Sequence, residues 1–296
     1  MNPAAPAFDY GVFTGRNIGF VSVAEQNRLR AGKVFVCGVG GMGGACVQSL
    51  VRAGVGRVAI ADFDTFDLSN LNRQVFASLR TVGAEKTEAT HRDLLAINPE
   101  LQIEVYGADW TRQIDAILSD YKIVVNGMDD VACGVLLYRK AREHGVTVID
   151  AYTASLPSVT VVRPEDPRPE ERLGYPTPAL AWDAIGTEVR NACTLKELEY
   201  VLTHSSSAWH IQLDVAAELV AGKRPRMSFA PMVITTGNLM CFEAINLLLG
   251  RRSGTDWRGY FFNPWKARVE LPRTAPVAWV MRLLVRRFMR KLLRGA

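Results

Sequence analysis

Apolar and polar positions follow two rhythms along this chain. The apolar, β-branched run at 33–37 reads as a buried parallel strand, and 58–61, 102–106, 123–126, 147–151 and 158–162 read as further strands. Between them, 43–53, 85–97, 111–118 and 131–144 carry apolar residues at helical spacing. Strands alternating with helices predict an α/β fold, a doubly wound, mostly parallel, Rossmann-like sheet. The rhythm breaks at 163–171, where three prolines and mixed charge predict a surface loop. Residues 194–202 and 211–221 then read as helices around Ser205–Ser207, 231–249 as a helix, 260–271 as a returning hairpin or edge strand, and 277–296 as an amphipathic helix. The chain thus divides into an N-terminal helical segment (1–32), an α/β core (33–162), a crossover or insert region (163–230), a C-terminal part of the core domain (231–276) and a terminal helix (277–296).

With 296 residues, 48% hydrophobic and 22% charged, the chain can bury a substantial core and is not of the disordered class. Its five cysteines (Cys37, Cys46, Cys133, Cys193, Cys241) occur singly, without a CxxC pair. This predicts no structural zinc and suits a reducing, cytoplasmic setting better than a disulfide framework. No signal peptide is expected from the N-terminal residues. The apolar stretch at 231–249 is interrupted by Asn238, Glu243 and Asn246, so no membrane span is expected.

Candidate chemistry begins with Gly38-Val39-Gly40-Gly41-Met42-Gly43-Gly44, placed after a strand and opening a helix. Backbone amides in such a turn bind phosphate, and missing side chains permit close approach. Asp62, closing the next strand, stands where a carboxylate accepts hydrogen bonds from ribose hydroxyls. These two features alone describe a nucleotide site or a tight structural turn equally well. The residues beyond them change the picture: Asp62-Phe63-Asp64, Ser69-Asn70-Leu71-Asn72-Arg73-Gln74, Val82-Gly83-Ala84-Glu85-Lys86 and Met128-Asp129-Asp130 add a polar, cationic strip for which a dehydrogenase has no use.

Together these spaced motifs resemble the superfamily of ubiquitin-activating enzymes and their bacterial relatives, the ThiF/MoeB/HesA-type adenylyltransferases. The resemblance spans roughly residues 16–270, with a late match at Ala230-Pro231-Met232, Gly237-Asn238-Leu239 and Glu243-Ala244. It implies activation of a carboxylate by ATP as an acyl adenylate, with release of pyrophosphate. By that resemblance Gly38, Gly40, Gly41 and Gly43 form the phosphate loop, and Asp62 and Asp64 serve the nucleotide. Asn70, Arg73 and Lys86 donate to phosphates, and Asp129 binds magnesium. The resemblance also places an arginine, matched by Arg16, in the partner subunit's site, which implies a homodimer. Cys193 is the candidate second nucleophile, ahead of a predicted helix whose N-terminus would lower its pKa; a buried, incidental thiol is the alternative. Plainer roles stay open for three others: Asp64 as a turn cap, Asn70 as a helix cap and Lys86 as a solvated surface lysine.

The implied substrates are the C-terminus of a ubiquitin-like or carrier protein, or a peptide. A tRNA threonylcarbamoyladenosine dehydratase-like enzyme and a ribosomal-peptide-modifying enzyme are alternatives within the same chemistry. A NAD-dependent oxidoreductase would leave Arg73, Lys86 and Asp129 without roles, and a non-catalytic nucleotide-binding scaffold is the remaining class.

The terminal helix carries a separate message. Residues 277–296 hold six basic residues and no acid, and without them the formal charge falls from +5 to −1. Met281, Leu284, Val285, Phe288 and Leu292 form the predicted apolar stripe, opposite Arg282, Arg286, Arg290 and Arg294. Such a helix reads as a contact for anionic membrane, placing a cytoplasmic protein at the inner membrane surface, or for a partner, or as a dimer- or domain-packing helix. Nucleic acid is a third use of the charge, without a known recognition module to accompany it. Because the nucleotide motifs all precede residue 131, removal of 277–296 is expected to abolish vesicle binding but leave ATP turnover nearly intact.

Overall fold

The computed structural model describes residues 7–220, 223–224 and 227–295. Helices α1 (Tyr10–Thr14) and α2 (Val23–Ala31) precede β1 (Lys33–Cys37), α3 (Gly41–Arg52), β2 (Arg57–Ala61), α4 (Lys86–Ile97), β3 (Gln102–Tyr106), α5 (Trp110–Asp120), β4 (Ile123–Asn126), α6 (Val131–Glu143) and β5 (Thr147–Asp150). Then follow β6 (Ser158–Val162), α7 (Pro169–Arg172), α8 (Thr187–His204), α9 (Leu213–Val220), α10 (Ala230–Leu248), β7 (Tyr260–Asn263), β8 (Arg268–Glu270) and α11 (Ala275–Gly295).

The strands form one sheet in the order β3-β2-β1-β4-β5-β6-β7-β8. Strands β1 to β5 are parallel, and β6, β7 and β8 extend the sheet antiparallel, so the doubly wound, mostly parallel expectation holds. The inner parallel strands β1, β2 and β4 read as largely apolar runs because both faces are covered, whereas the edge strand β3 alternates and stays partly exposed. In β1, Val34 and Val36 enter the core beneath α3 and α10, while Phe35 and Cys37 enter the opposite core with Trp110, Ile114 and Tyr121. The chain leaves β1 toward β2 and β3, then returns to add β4 on β1's other side. This reversal opens a crevice beyond the carboxyl ends of β1 and β4.

Helix α10 packs along α3 at a separation set by Gly237, where a Cβ would stand 2.4 Å from the Met42 carbonyl oxygen. Of the described helices it is the one long and apolar enough to cross a membrane. Its polar residues are nevertheless used inside the protein: Asn238 Oδ1 accepts from Ser49 Oγ at 2.6 Å, and buried Glu243 accepts from Thr255 Oγ1 at 2.6 Å.

The second half departs from expectation in three places. The supposed surface loop 163–171 runs into α7, whose Glu170 is buried and bound by Arg139, with Nη2 at 2.7 Å and Nε at 3.1 Å. A proline-rich, charged segment turns inward here because two charges neutralise each other. Helix α8 starts seven residues before the predicted 194, its polar Glu188, Arg190 and Asn191 having masked the helical spacing. In α11, Val285 and Met289 pack with Leu202 of α8, and Phe288 lies partly buried beside them. Leu284 is exposed instead of joining the stripe, because it projects away from the side of the helix that meets α8. Leu292 and Arg294, and the helical prediction at Ala221, lie outside the described side chains and residues.

Candidate functional site

Two glycines of the loop are required by the protein's own backbone. Gly38 adopts φ +87°, and a Cβ on Gly43 would lie 1.8 Å from the Gly38 carbonyl oxygen. The turn thereby brings the N-terminus of α3 against the end of β1. Gly40, the N-cap of α3, offers no side chain to the first helical amides, which leaves them available for an anion. Asp62 steadies the turn: Oδ2 accepts from Val39 N at 2.9 Å and Oδ1 from Asp64 N at 3.0 Å.

Lys86 is buried at the start of α4, and its Nζ lies 2.8 Å from Asp64 Oδ2. It is therefore not a solvated surface lysine, and the Asp64 carboxylate serves as its partner. Asn70 is buried, and its Oδ1 accepts from Asp67 N at 3.2 Å within a capping box whose N-cap is Asp67, so Asn70 braces the cap of a short helical turn and is not the cap itself. Arg73 donates through Nη1 to neutral oxygens, Ser69 O at 2.9 Å and Asn72 Oδ1 at 2.8 Å.

Across the crevice, Gly127 N donates to Cys37 O at 2.7 Å, which holds the Met128-Asp129-Asp130 turn beside the glycine loop. Asp129 is exposed at this mouth. Asp130 caps α6 through Cys133 N at 2.8 Å and pairs with Arg190 of α8.

Asp129, Met128 and Met42 also line a cavity of about 1060 Å³ that runs away from the loop beneath α7, α8 and α9. Its floor holds residues that sequence reading missed. Asp150, closing β5, accepts from Tyr138 OH at 2.7 Å, Asn126 Nδ2 at 3.0 Å and Ala151 N at 2.7 Å. Burial outweighs these donors and pushes its carboxyl up to about 6. Arg172 donates to Tyr152 OH at 2.7 Å and lies over the rings of Tyr152 and Tyr200, while its buried Nε has no partner. Glu197 accepts from Thr153 N at 2.5 Å. The position of Asp150 at a parallel strand's carboxyl end is a signal that could have flagged it. Arg172 and Glu197 carry none, since only the folding of α7 and α8 over the sheet brings them together.

Two candidates stand apart from this assembly. Cys193 is buried seven residues into α8 rather than ahead of a helix, and burial pushes its thiol up to about 11, opposite to the expected lowering. Its neighbours Asn191 and Thr194 line the cavity, but Cys193 does not. Arg16 is exposed in a short helical turn at the far end of α3, where Asn17 Nδ2 donates to Ala53 O at 3.2 Å. A 12-residue helix is about 18 Å long, so Arg16 cannot serve its own glycine loop.

The fold and the loop define an α/β protein of the nucleotide-binding class. More narrowly, the ThiF family model matches residues 14–277, and the chain belongs to the ThiF family. It is 38% identical over 108 residues to the molybdopterin-synthase adenylyltransferase of Escherichia coli, covering 36% of this chain and 43% of that protein. The chain spans less than half the length of the curated relatives it matches. Among solved structures, E. coli MccB with ATP superposes with a TM-score of 0.61 at 18% identity, covering 93% of this chain and 73% of that one. The E. coli tRNA N6-threonylcarbamoyladenosine dehydratase TcdA gives 0.57 at 16%, covering 81% and 95%. These two likenesses establish the shared fold.

Proposed function

We propose that this chain binds Mg-ATP and transfers its adenylyl group to a carboxylate. One observation carries the reading: Asp62 holds Val39 and Asp64, Asp64 holds Lys86, and Gly127 N meets Cys37 O. The glycine loop, the Lys86–Asp64 pair and the Asp129 turn thus gather at the carboxyl ends of β1, β2 and β4, where Met42, Met128 and Asp129 also line the cavity. In the reaction, a carboxylate oxygen attacks the α-phosphorus, the bond to the bridging oxygen breaks, and pyrophosphate leaves. The chain's contribution is to orient the two reactants and stabilise charge on the phosphate oxygens. The amides of α3, Arg73 and Lys86 supply that positive field, and Asp64 holds the Lys86 ammonium in place at 2.8 Å.

Among the described residues no group of three His, Cys, Asp or Glu could hold a metal. Magnesium needs no such group, since one or two carboxylates with phosphate oxygens and water complete its shell. Asp129 fits that part, and magnesium bound there with the nucleotide would neutralise phosphate charge.

The substrate is a protein, peptide or tRNA-linked carboxylate, in line with the activities for which the relatives are named. A cavity of about 1060 Å³ matches a pocket for a bulky ligand and favours an acyl group larger than a glycine tail. Arg16 acts in a homodimer, reaching the partner's crevice. Exposed Phe20 beside it and exposed Phe242 on α10 supply apolar surface for the contact. The setting is cytoplasmic, consistent with five free cysteines.

Pyrophosphate exchange tests the reading. Exchange that depends on magnesium, ATP and a cognate carboxylate supports it; NAD bound in preference to ATP overturns it. For the dimer, an Arg16→Ala subunit mixed with an Asp129→Ala subunit is expected to recover activity, since each mixed dimer keeps one complete site. No recovery in subunits shown to exchange removes the trans role of Arg16.

A further inference from the structure

Three of the chain's six tryptophans stand in solvent: Trp209 at 84% exposure, Trp265 at 59% and Trp279 at 66%. They belong to three different elements, the turn after α8, the β7–β8 turn and the second turn of α11. Those elements are bound to one another at the C-terminal end of α8. Glu270 of β8 accepts from Ser206 N at 2.7 Å, and Asn263 of β7 donates to Ser206 Oγ at 3.0 Å. Arg273 N donates to His204 Nδ1 at 3.1 Å, and the Trp265 ring lies 6.4 Å from that of His210, the neighbour of Trp209. Around the tryptophans, Val269, Leu271, Val277, Val280, Leu283 and Leu284 are also exposed. The half of α11 that does not meet α8 is therefore apolar at its start and basic further on.

We infer that this face docks on an anionic lipid bilayer. The charge is complementary to such a surface: from Pro264 to the C-terminus there are nine lysines and arginines and one acid, Glu270. Glu270 already pairs with Arg268, and Glu199 of α8 takes Arg282 and Arg286. Exposed Arg287 and Arg290 have no carboxylate partner among the described residues. Tryptophan with arginine suits the headgroup boundary, where the ring's apolar body is buried and the cation meets phosphate. The same charge opposes a second copy, because stacking two such faces brings arginine against arginine. The rings already project from a hydrogen-bonded platform, so docking orders little of the chain.

The test uses the whole chain with phosphatidylcholine vesicles, plain or containing about 30% phosphatidylglycerol. Cosedimentation should be at least ~10-fold tighter on the anionic vesicles and fall away at about 0.5 M salt. Tryptophan emission should shift blue on binding and be quenched by brominated lipid. The variant W209S/W265S/W279S, shown by melting to be folded, should lose roughly tenfold or more of the affinity, and R287E/R290E should lose the preference for anionic lipid. Equal binding by the folded triple variant, or no binding of the wild type to either vesicle, overturns the proposal. A change of molecular mass in the triple variant without vesicle binding assigns the face to a protein contact instead and overturns it as well.

Discussion

The nucleotide crevice and the cavity beyond it are built in opposite ways. At the crevice, short-range elements dominate: Gly38 and Gly43 shape a turn, Asp62 ties to Val39, Asn70 closes a box with Asp67, and Lys86 meets Asp64. Each residue works through neighbours close in sequence or one βα unit away. The cavity is assembled from distant segments. Thr153 N donates to Glu197 of α8, Ser155 Oγ to the carbonyl of Ser207, and Tyr152 OH to the carbonyl of Arg258, contacts that span 44, 52 and 106 residues of chain. Phe288 of α11 also lines its wall. The comparison teaches that the crevice carries its geometry in local pattern, whereas the cavity depends on long-range packing.

If so, damage should separate along the same line, with stability lost in the cavity half and chemistry lost in the crevice. The largest effect is expected from removing residues 277–296. This withdraws Val285, Phe288 and Met289 from contact with α8, at a cost of about 5 kcal/mol of stability on ordinary burial values. Thermal melting and pyrophosphate exchange should both fall, against the simpler expectation that the tail is dispensable because the nucleotide motifs precede it. Unchanged melting would show that α11 is not part of the cavity's support.

Next in size is Glu170→Ala. It leaves the Arg139 guanidinium, partly buried and also bound to Leu180 O at 2.7 Å and Thr177 O at 2.8 Å, without its carboxylate. Breaking such a pair costs about 3–5 kcal/mol, read as a lowered midpoint of denaturant unfolding. ATP affinity at the crevice should change little under conditions where the variant remains folded.

Asp150 supplies a pH test. Its folded pKa of about 6 lies above the ordinary 3.8, so between roughly pH 4 and 6 the folded chain holds a proton that the unfolded chain has released. Stability should therefore fall as pH rises through that window, by about 3 kcal/mol, and level off above it. In Asp150→Asn that part of the slope should vanish. A profile identical to wild type would mean that Asp150 is hydrated, and the polar floor of the cavity open to water.

The crevice gives the smallest change in free energy but the clearest separation. Arg73→Ala should reduce adenylate formation about a hundredfold, equivalent to roughly 2.7 kcal/mol, with its melting temperature unmoved. Lys86→Ala should do the same at some cost in stability, because its stem is buried. Wild-type exchange in both variants would remove this division of labour between crevice and cavity.

The alternating core, the parallel strands and the places of the loop, Asp62, Lys86 and Asp129 were legible from residue order alone. All of these rest on periodicity and on spacing within single βα units, which survive in one dimension. Only the tertiary structure decided that 169–172 turns inward, that Cys193 is sealed within α8, and that Arg16 lies about a helix length from its own loop. It also decided which face of α11 is spent on α8 and which is left to solvent. An amphipathic pattern gives the direction of each side chain around its helix, but burial depends on what packs there. For α7, α8 and α11 the partners lie far away in sequence.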